Sequence, residues 1–476
     1  MAAAFAPALV LATQNASAQG ALPPAPSSPE PASSMAPSPA GLAPLPALAA
    51  SSAGSLTSPP QGQRVVTLAE VERTAIQQQP QLRVARANVN TAQAQGVVAR
   101  SPLFPQVTGT AAYTRETGNF AVRPGAVPTS VTSAGWSLSR SYDYWNFGIS
   151  ATQLLYDFGQ TSNRYQAAES NVEVQRATSE TTRLQVVLSV RRMYFNARAT
   201  KELVSVARET LGGQQKHLAQ VQGFVQAGTQ PYIALAQQRA AVANAQVMLI
   251  NAQNNYETAK AQLNQVAGIA GGTDYDVSEE DMAPVLEEDQ PLEILVAKAI
   301  AMRPELVTLG KQREAQEATL KSARGGYGPT IAASAGATTQ GLQLDQMVPN
   351  WNIGVGITWP VFQGGLTQGQ IRQAEAGLDT VDAQRSLEEL QVRLDVDSAR
   401  LAVRAAKATV GAVADALDSA HEQLRLAEQR FATGVGNIIE LVDAQVAYTS
   451  AAAQVVQARY GLATARAQLV AALGRS

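Results

Sequence analysis

The chain has 476 residues, a net charge of −2 and no cysteine. A charge so close to zero gives no electrostatic footprint for nucleic acid, and the lack of thiols excludes disulfides and thiolate metal sites. No run of 18 apolar residues occurs, so the sequence predicts no transmembrane helix.

The first 63 residues carry no pattern typical of a folded domain. Residues 1–18 combine an apolar stretch with the small-residue triplet Ala16–Ser17–Ala18 and are interpreted as a signal peptide, although no Lys or Arg precedes Arg64. Residues 19–63 are rich in Pro, Ala and Ser and poor in large apolar residues. Such a composition cannot bury enough apolar surface to fold, so we expect disorder there.

The remainder of the chain is a tandem duplication. Prolines open and close one helical segment in each copy, 224 residues apart between copies: Pro80 and Pro105, then Pro304 and Pro329. Further on, Trp145–Gly148 returns as Trp351–Gly354 at a separation of 206. The drop of 18 reflects a shorter hairpin loop in the second copy. Self-similarity of this kind places a first repeat at 64–273, an acidic linker at 274–290 and a second repeat at 291–476.

Each repeat contains one predicted β-hairpin, at 105–156 and 329–362. Apolar residues alternate with small uncharged ones along the strands, which indicates one apolar and one polar face. A soluble sheet packed on a core would alternate in the same way. The four tryptophans lie in or beside these hairpins: Trp136, Trp145, Trp351 and Trp359. Aromatic residues at the ends of about ten alternating residues are typical of membrane-barrel strands, so we favour a barrel with these tryptophans at the membrane interface.

Four strands cannot close a barrel, and open edges are not tolerated in hydrocarbon. Barrel closure therefore requires several copies of the chain. Two copies would supply eight strands and three would supply twelve, and the pattern alone does not choose between them.

Long proline-free runs after both hairpins predict helices over 160–226 and 366–432. Each is about 67 residues long and spans about 100 Å at about 1.5 Å per residue. Returning helices are predicted at 232–266 and 437–473, with about half that length. Short helices before the hairpins, at 80–100 and 304–324, supply the other half. The lengths therefore predict two stacked helical layers of equal reach.

The last predicted helix carries two neighbouring apolar stripes and one polar stripe. One apolar stripe begins at Ile439 and Val442, and the other at Leu441 and Ala444. A single seam would indicate a two-stranded coiled coil. Two seams allow each helix to pack against neighbours on both sides, which builds a curved wall of helices. A helix buried in a bundle is the alternative.

This order of short helix, hairpin, very long helix and half-length helix, repeated twice, resembles the outer-membrane efflux proteins, the TolC-like trimeric export ducts. The resemblance covers about residues 65–474. It implies a mostly α-helical protomer with a membrane β-barrel portion, three copies of which form a 12-stranded barrel continued by a 12-helix periplasmic α-barrel. A structural coiled-coil scaffold with a small soluble sheet is the alternative.

The resemblance also implies a function and a location. It implies a homotrimeric exit duct in the lipid of the bacterial outer membrane, with a periplasmic tunnel. Such a duct passively conducts substrates delivered by an inner-membrane pump and a periplasmic adaptor, without catalysis or a cofactor. Drugs, metal ions and polypeptides all remain open as cargo.

In that family the long and returning helices meet at a periplasmic turn with an aromatic residue, a glycine and acidic residues. The second copy reads Arg430–Phe431–Ala432–Thr433–Gly434, and the first reads Phe224–Val225–Gln226–Ala227–Gly228. Glycine permits the positive φ that a reversing helix needs. We expect the adaptor to dock at these two turns: Gly228, Thr229 and Gln230 in the first, and Phe431, Gly434, Val435 and Gly436 in the second.

Glu440 and Asp443 follow the second turn and share one face of a helix start. Three copies would place six carboxylates at the narrow tunnel mouth, as a gate that selects cations. Helix-start charges stabilised by the helix dipole are the plainer interpretation. The Arg and the Asp that the family uses in closing this gate are replaced by Gly436 and Ala234.

Other candidate sites are weak. His217 and His421 are single histidines on the long helices, without metal-ligand spacing, and we expect them on the solvated surface with no metal bound. The acidic residues of the linker are expected to be solvated rather than to bind cations. No nucleotide loop, hydrolase elbow or zinc motif occurs, so we do not expect an enzyme.

Overall fold

The computed structural model describes residues 64–117, 141–280 and 283–476, most of them helical. The elements are, in chain order, β1 Arg64–Val66, α1 Leu68–Gln78, α2 Pro80–Arg100, β2 Gln106–Thr117, β3 Ser141–Tyr156, α3 Gln160–Gln226, α4 Tyr232–Ala267, β4 Tyr275–Val277, α5 Leu292–Met302, α6 Pro304–Gly325, β5 Thr330–Gly341, β6 Val348–Thr358, α7 Leu366–Ala432 and α8 Ile438–Ala472. The predicted signal peptide, the Pro-rich segment 19–63 and Trp136 lie outside the described residues.

The two long helices, α3 and α7, each contain 67 residues and coincide with the proline-free runs. Each begins directly after a left-handed glycine, Gly159 at φ 82° and Gly365 at φ 89°. Glycine adopts that conformation without the steric cost of a Cβ, so the chain can turn sharply from strand into helix. Within the described ranges, no helix is both long and apolar enough to cross a membrane.

The helices form a wall two layers high rather than a globular core. Near the sheet, α3 packs against α2 and α6; farther from it, α3 packs against α4 and α8. The second long helix, α7, packs against α6 and then against α8. Buried positions along this wall are mostly Ala and Val, which allow helix axes to approach closely.

In each repeat, a side-chain hydrogen bond joins the two helical layers where they meet. In the first copy, the Gln79 amide Nε2 donates to the carbonyl of Val266 at 2.7 Å. In the second copy, Arg303 Nε donates to the carbonyl of Ala472 at 2.8 Å. Gln79 and Arg303 both precede the proline that opens the next helix, and the two acceptors are equivalent positions of the returning helices. Different side chains therefore satisfy the same free helix-end carbonyl in both copies.

A four-stranded antiparallel sheet with the order β2-β3-β5-β6 lies at one end of this wall. Its register places the apolar members of all four strands on one face: Val107, Gly109, Ala111, Tyr113, Trp145, Phe147, Ile149, Ala151, Ile331, Ala333, Ala335, Ala337, Trp351, Ile353, Val355 and Ile357. The opposite face carries Gly, Ala, Ser, Thr and Asn over the same stretch. Among the described residues, the outer edges of β2 and β6 have no strand partner.

The acidic linker differs from the solvated segment that its charges predict. Its strand β4 pairs in parallel with β1, and Asp276 accepts hydrogen bonds from Lys201 Nζ and the Tyr256 hydroxyl, both at 2.7 Å. Glu287 and Glu288 are only 9% and 5% exposed. The cations that pair with them come from α5, α7, α8 and the chain end: Lys298 and Arg475 with Glu287, and Lys407 and Arg466 with Glu288. The expectation of solvated acidic residues was therefore wrong for Asp276, Glu287 and Glu288, whose partners lie on other elements. It holds for the exposed carboxylates of the same segment, Asp274, Glu279, Glu280 and Asp289.

This charge network makes stability depend on pH. Burial favours a raised pKa for Asp276 and Glu288, but their cationic and hydroxyl donors outweigh burial and hold both pKa values below the ordinary 3.8 and 4.5. The unfolded chain therefore binds more protons, so acid favours unfolding. The stabilisation is complete above the ordinary pKa values and is lost as pH falls through the lowered ones.

We predict that the urea midpoint for unfolding of the helical wall, followed by circular dichroism, decreases as pH falls below about 4.5. Asp276→Asn should make that decrease shallower, since it removes one of the carboxylates that must be protonated. Asp274→Asn, at an exposed carboxylate of the same segment, is the matched control and should keep the full decrease. Identical pH profiles for Asp276→Asn and the native chain would contradict this account.

Candidate functional site: the helical tips and the apolar sheet face

The tip of the second repeat is a tight reversal between α7 and α8. Gly434 has φ 76°, and the N–H groups of Val435 and Gly436 both donate to the carbonyl of Arg430, at 3.0 and 2.8 Å. Asn437 then caps α8, because its Oδ1 accepts from the N–H of Ile439 at 3.2 Å. The free carbonyls at the end of one helix and a free N–H at the start of the next are thus satisfied within the turn.

The first repeat ends in an equivalent tip between α3 and α4. Gly228 has φ 73°, and both the N–H and the hydroxyl of Thr229 donate to the carbonyl of Phe224 at 2.9 Å. Gly228 and Gly434 are separated by the repeat offset of 206 residues. The same backbone reversal therefore forms in both copies, although the residues around it differ.

The two tips are joined by an apolar cluster. The rings of Phe224 and Phe431 meet edge to face, with centroids 5.7 Å apart and planes at 70°. Phe431 is 2% exposed and packs with Val221 and Leu441 in the same cluster. Edge-to-face aromatic pairs contribute about 0.5–1.5 kcal/mol beyond their area burial, so the tips form one unit rather than two separate hairpins.

The residues predicted to dock a partner divide into an exposed group and a supporting group. Val435 is 75% exposed, and the space beside Gly434 and Gly228 is open. Phe431 is buried, and a Cβ on Gly436 would come within 2.8 Å of the backbone N of Phe431. Phe431 and Gly436 therefore stabilise the turn from its buried side rather than offering a surface to a partner. The remaining two predicted residues are partly or fully accessible: Thr229 is exposed and Gln230 is half-buried.

The two predicted gate carboxylates have different surroundings. Glu440 lies in the first turn of α8, where its Oε1 is 3.4 Å from Arg430 Nε. Asp443 is exposed one turn farther along and has no ion pair within the described part of the chain. The charge of Glu440 is thus partly offset by its own chain, which leaves Asp443 as the more available carboxylate. Ala234 is buried in the tip cluster and contributes no charge.

His217 is buried, against the expectation of a solvated surface position. It is 6% exposed, and its Nε2 lies 3.5 Å from Glu428 Oε1. Neither ring nitrogen has a hydrogen-bond partner within the described residues. The burial comes from helices that are remote in sequence, so the pattern of α3 alone did not show it. His421 is exposed as predicted and lies against the ring of Tyr448, 5.7 Å between centroids.

Hydrogen bonds between the side chains of the two repeats were not predicted. The hydroxyls of Thr210 and Thr449 are 3.1 Å apart, and the Tyr448 hydroxyl donates to Glu209 Oε1 at 3.2 Å. Thr449 and Tyr448 lie within the apolar stripes of α8. A hydroxyl group in an otherwise apolar stripe indicates that a hydrogen bond forms there, but the sequence does not identify the residue that completes it.

Aromatic residues mark the apolar face of the sheet. Trp351 and Trp359 are 76% and 62% exposed, and Trp145 packs on Tyr113 with centroids 4.6 Å apart. Eight residue steps separate Trp351 from Trp359, about 26 Å at about 3.3 Å per step. That length is comparable with the apolar band of about 25 Å on outer-membrane barrels.

A two-layered helical wall that ends in a four-stranded sheet with an apolar band on one face is the protomer architecture of TolC-like outer-membrane channels. The family model described as outer membrane efflux protein matches residues 72–269 and 295–475. The chain belongs to this family, whose members are efflux channels of the outer membrane, and the scaffold alternative is not favoured.

Named relatives agree with this assignment over most of the chain. The outer membrane efflux protein BepC of Brucella suis is 25% identical over 405 residues, which cover 82% of this chain and 83% of BepC. The outer membrane protein TolC of Escherichia coli is 23% identical over 421 residues, covering 86% and 82%. The crystal structure of VceC from Vibrio cholerae has the same fold, with a TM-score of 0.72 at 19% identity, covering 86% of this chain and 96% of VceC.

Proposed function

We propose that three copies of this chain assemble into a passive exit duct. Three four-stranded sheets give a 12-stranded barrel in the outer membrane, and four helices per copy at each level give a 12-helix periplasmic tunnel. An inner-membrane pump supplies the cargo and the energy, and a periplasmic adaptor joins pump and duct. The chain performs no chemistry of its own.

The observation that supports this proposal best is the sheet, which has an apolar face and two unpaired edges. An exposed apolar face of this size is unstable in water and is favourable against lipid. Unpaired backbone groups at a sheet edge cost several kcal/mol each in hydrocarbon, so the edges must pair with further strands. The chain itself offers none among its described residues, whereas further copies supply them.

The polar face of the sheet supports a conduit that accepts many substrates. Its side chains are small and uncharged over the barrel stretch, as in Thr110, Ser150, Ser334 and Asn352. Such a lining offers hydrogen bonds without a fixed charge or a shaped pocket. Selection among drugs, metal ions and polypeptides therefore lies with the pump.

The first experiment measures assembly. We expect the purified protein in detergent to have the mass of three chains by light scattering, because that number closes a 12-stranded barrel. The adaptor and the pump are not needed for this result. A folded monomer of constant mass across detergent concentrations would overturn the proposal.

A second experiment concerns docking of the adaptor at the tips. Val435→Glu should reduce export, because it places a charge on an exposed apolar side chain that a partner would have to desolvate. The turn should persist, since Val435 contributes only its backbone N–H to it. Export can be followed as dye accumulation in cells that carry the cognate pump.

Leu286→Glu is the matched control, because Leu286 is 98% exposed and lies in the linker, away from the tips. It should leave export unchanged. Loss of the trimer in Val435→Glu, or equal export in both variants, would contradict docking at the tips.

A third experiment concerns the gate. If Asp443 faces the lumen, Asp443→Ala should weaken cation selectivity and block by divalent cations in planar-bilayer recordings. Carboxylates that converge in a narrow aperture are poorly screened, whereas charges on an outer wall are screened within about 8 Å at physiological salt.

Glu440→Ala should have a smaller effect, because Arg430 already offsets that carboxylate. Asp415→Ala, at an exposed carboxylate of α7, serves as the control. Unchanged selectivity and block in Asp443→Ala would leave Glu440 and Asp443 as ordinary helix-start charges.

A further inference from the structure

The sequence offsets between the two repeats also hold for the backbone pairing. In the first hairpin, Val107 pairs with Ala151. Adding 224 to the first position and 206 to the second gives Ile331 and Ile357, which are partners in the second hairpin. The two hairpins therefore have the same register, residue for residue.

A side-chain contact repeats in the same way. The Gln153 amide donates to the carbonyl of Leu103 at 3.0 Å. At the equivalent positions, the Trp359 indole Nε1 donates to the carbonyl of Tyr327 at 3.1 Å. The geometry is thus preserved where the side chains are not, so the offsets can be used to transfer contacts from one copy to the other.

The repeats meet within the protomer at one joint, which we call the internal joint. It consists of β3 paired with β5, and α3 packed against α6. The equivalent surfaces at the two outer edges are β6 with α7 on one side and β2 with α2 on the other. Within the described residues these edges do not meet each other. In a closed ring, β6 and α7 of one chain would meet β2 and α2 of the next.

The offsets give the register of that second joint. In the internal joint, Ile149 of β3 pairs with Ala337 of β5. Adding 206 to the first and subtracting 224 from the second places Val355 of one chain opposite Tyr113 of the next. Both residues lie on the apolar face and are 67% and 51% exposed in the single chain.

The internal joint contains a ring that lies over a glycine. Phe158 links β3 to α3 at φ 56° and is the one non-glycine residue with positive φ within the described ranges. Gly328 lies directly beneath its ring, and a Cβ added to Gly328 would overlap that ring. The glycine is needed here because the phenylalanine occupies the space of its side chain.

At the outer edges the two residue types are exchanged. The position equivalent to Phe158 is Gly364, at φ 60° with open space around it. The position equivalent to Gly328 is Phe104, which is 48% exposed and has the Arg100 guanidinium 4.9 Å from its ring centroid. Each joint therefore combines one phenylalanine with one glycine, contributed from opposite sides.

We propose that Phe104 of one chain packs over Gly364 of the next, with β2 and β6 paired so that Tyr113 lies opposite Val355. The partner is a second copy of this chain, and the proposal rests on the trimer proposed above. The contact closes the ring where the barrel meets the helical tunnel.

A neighbouring pair of positions fits the same joint. In the internal joint, the Ser322 hydroxyl donates to the carbonyl of Gln160 at 2.8 Å. The equivalent residues are Val98 and Leu366, which are 70% and 58% exposed in the single chain. Between chains this hydrogen bond is replaced by an apolar contact, which buries two side chains that are otherwise left in water.

At one position, a larger side chain requires the joint between chains to be slightly wider than the internal joint. Gly325 approaches the backbone of Phe158 and Gln160 so closely that a Cβ would lie 3.0–3.3 Å away. Its equivalent is Ser101, which has a Cβ. The joint between chains therefore opens by a few tenths of an ångström relative to the internal joint.

The register is tested by cross-linking, because the native chain has no cysteine. Successive antiparallel pairs alternate between Cα spacings of about 5.5 and 4.5 Å, so one of two adjacent pairs suits a disulfide. We expect Tyr113→Cys with Val355→Cys, or Thr114→Cys with Gly354→Cys, to give oxidised trimers on a denaturing gel. The control Tyr113→Cys with Ile353→Cys is displaced by two residues and should remain monomeric. Efficient cross-linking of the control alone would overturn the register.

The ring-over-glycine contact is tested by a double-mutant cycle. Phe104→Gly leaves a void and Gly364→Phe brings two rings together, so each should lower the temperature at which the detergent-solubilised trimer dissociates. The double variant places its glycine and phenylalanine at the joint between chains in the same arrangement as in the internal joint. It should therefore recover most of the lost stability. Phe158 shows that a phenylalanine is accommodated at positive φ in this position.

The outcomes separate this proposal from the trimer itself. A native protein that is monomeric in detergent would overturn the trimer and this joint together. A native trimer whose double variant dissociates at the temperature of the less stable single variant, or below it, would overturn only the contact between Phe104 and Gly364.

Discussion

The need to satisfy backbone hydrogen-bonding groups in hydrocarbon is the constraint on which the rest of this structure depends. In a membrane, each unpaired N–H or C=O at a sheet edge costs several kcal/mol. The four strands of this chain satisfy one another internally but leave the outer edges of β2 and β6 open. In lipid, a sheet of this kind would therefore be incomplete as a single chain. The proposed ring, the tunnel that continues it and the shared mouth at the helical tips all follow from closing those edges.

The helical wall is stabilised by many small contacts along its long helices rather than by a thick apolar core. Its buried positions are largely Ala and Val, and each buried CH₂ contributes only about 0.8 kcal/mol. Over 67-residue helices many such contacts accumulate, while the wall remains one helix thick and leaves room for a lumen. The larger apolar clusters occur at the junction of the two helical layers and at the tips.

Duplication gives this chain one internal joint and, in the trimer that we propose, an equivalent joint between chains. The backbone keeps the same register in both hairpins, whereas the side chains differ at many equivalent positions. Gln79 and Arg303 show how different donors satisfy the same helix end. Phe158 and Gly364 show the reverse, since the same backbone conformation carries different side chains.

The sequence by itself determined the elements and their order. Proline positions mark where the helices begin, alternation identifies the strands and their apolar face, and glycine marks both tips, because each of these is a local property of the backbone. Only the tertiary structure decided what those elements bury. Glu287 and Glu288 are paired instead of solvated, His217 is enclosed, and Glu440 lies beside Arg430. Burial and charge pairing depend on residues that the fold brings together from different elements, and a pattern read along one helix does not identify the residues that its neighbours present.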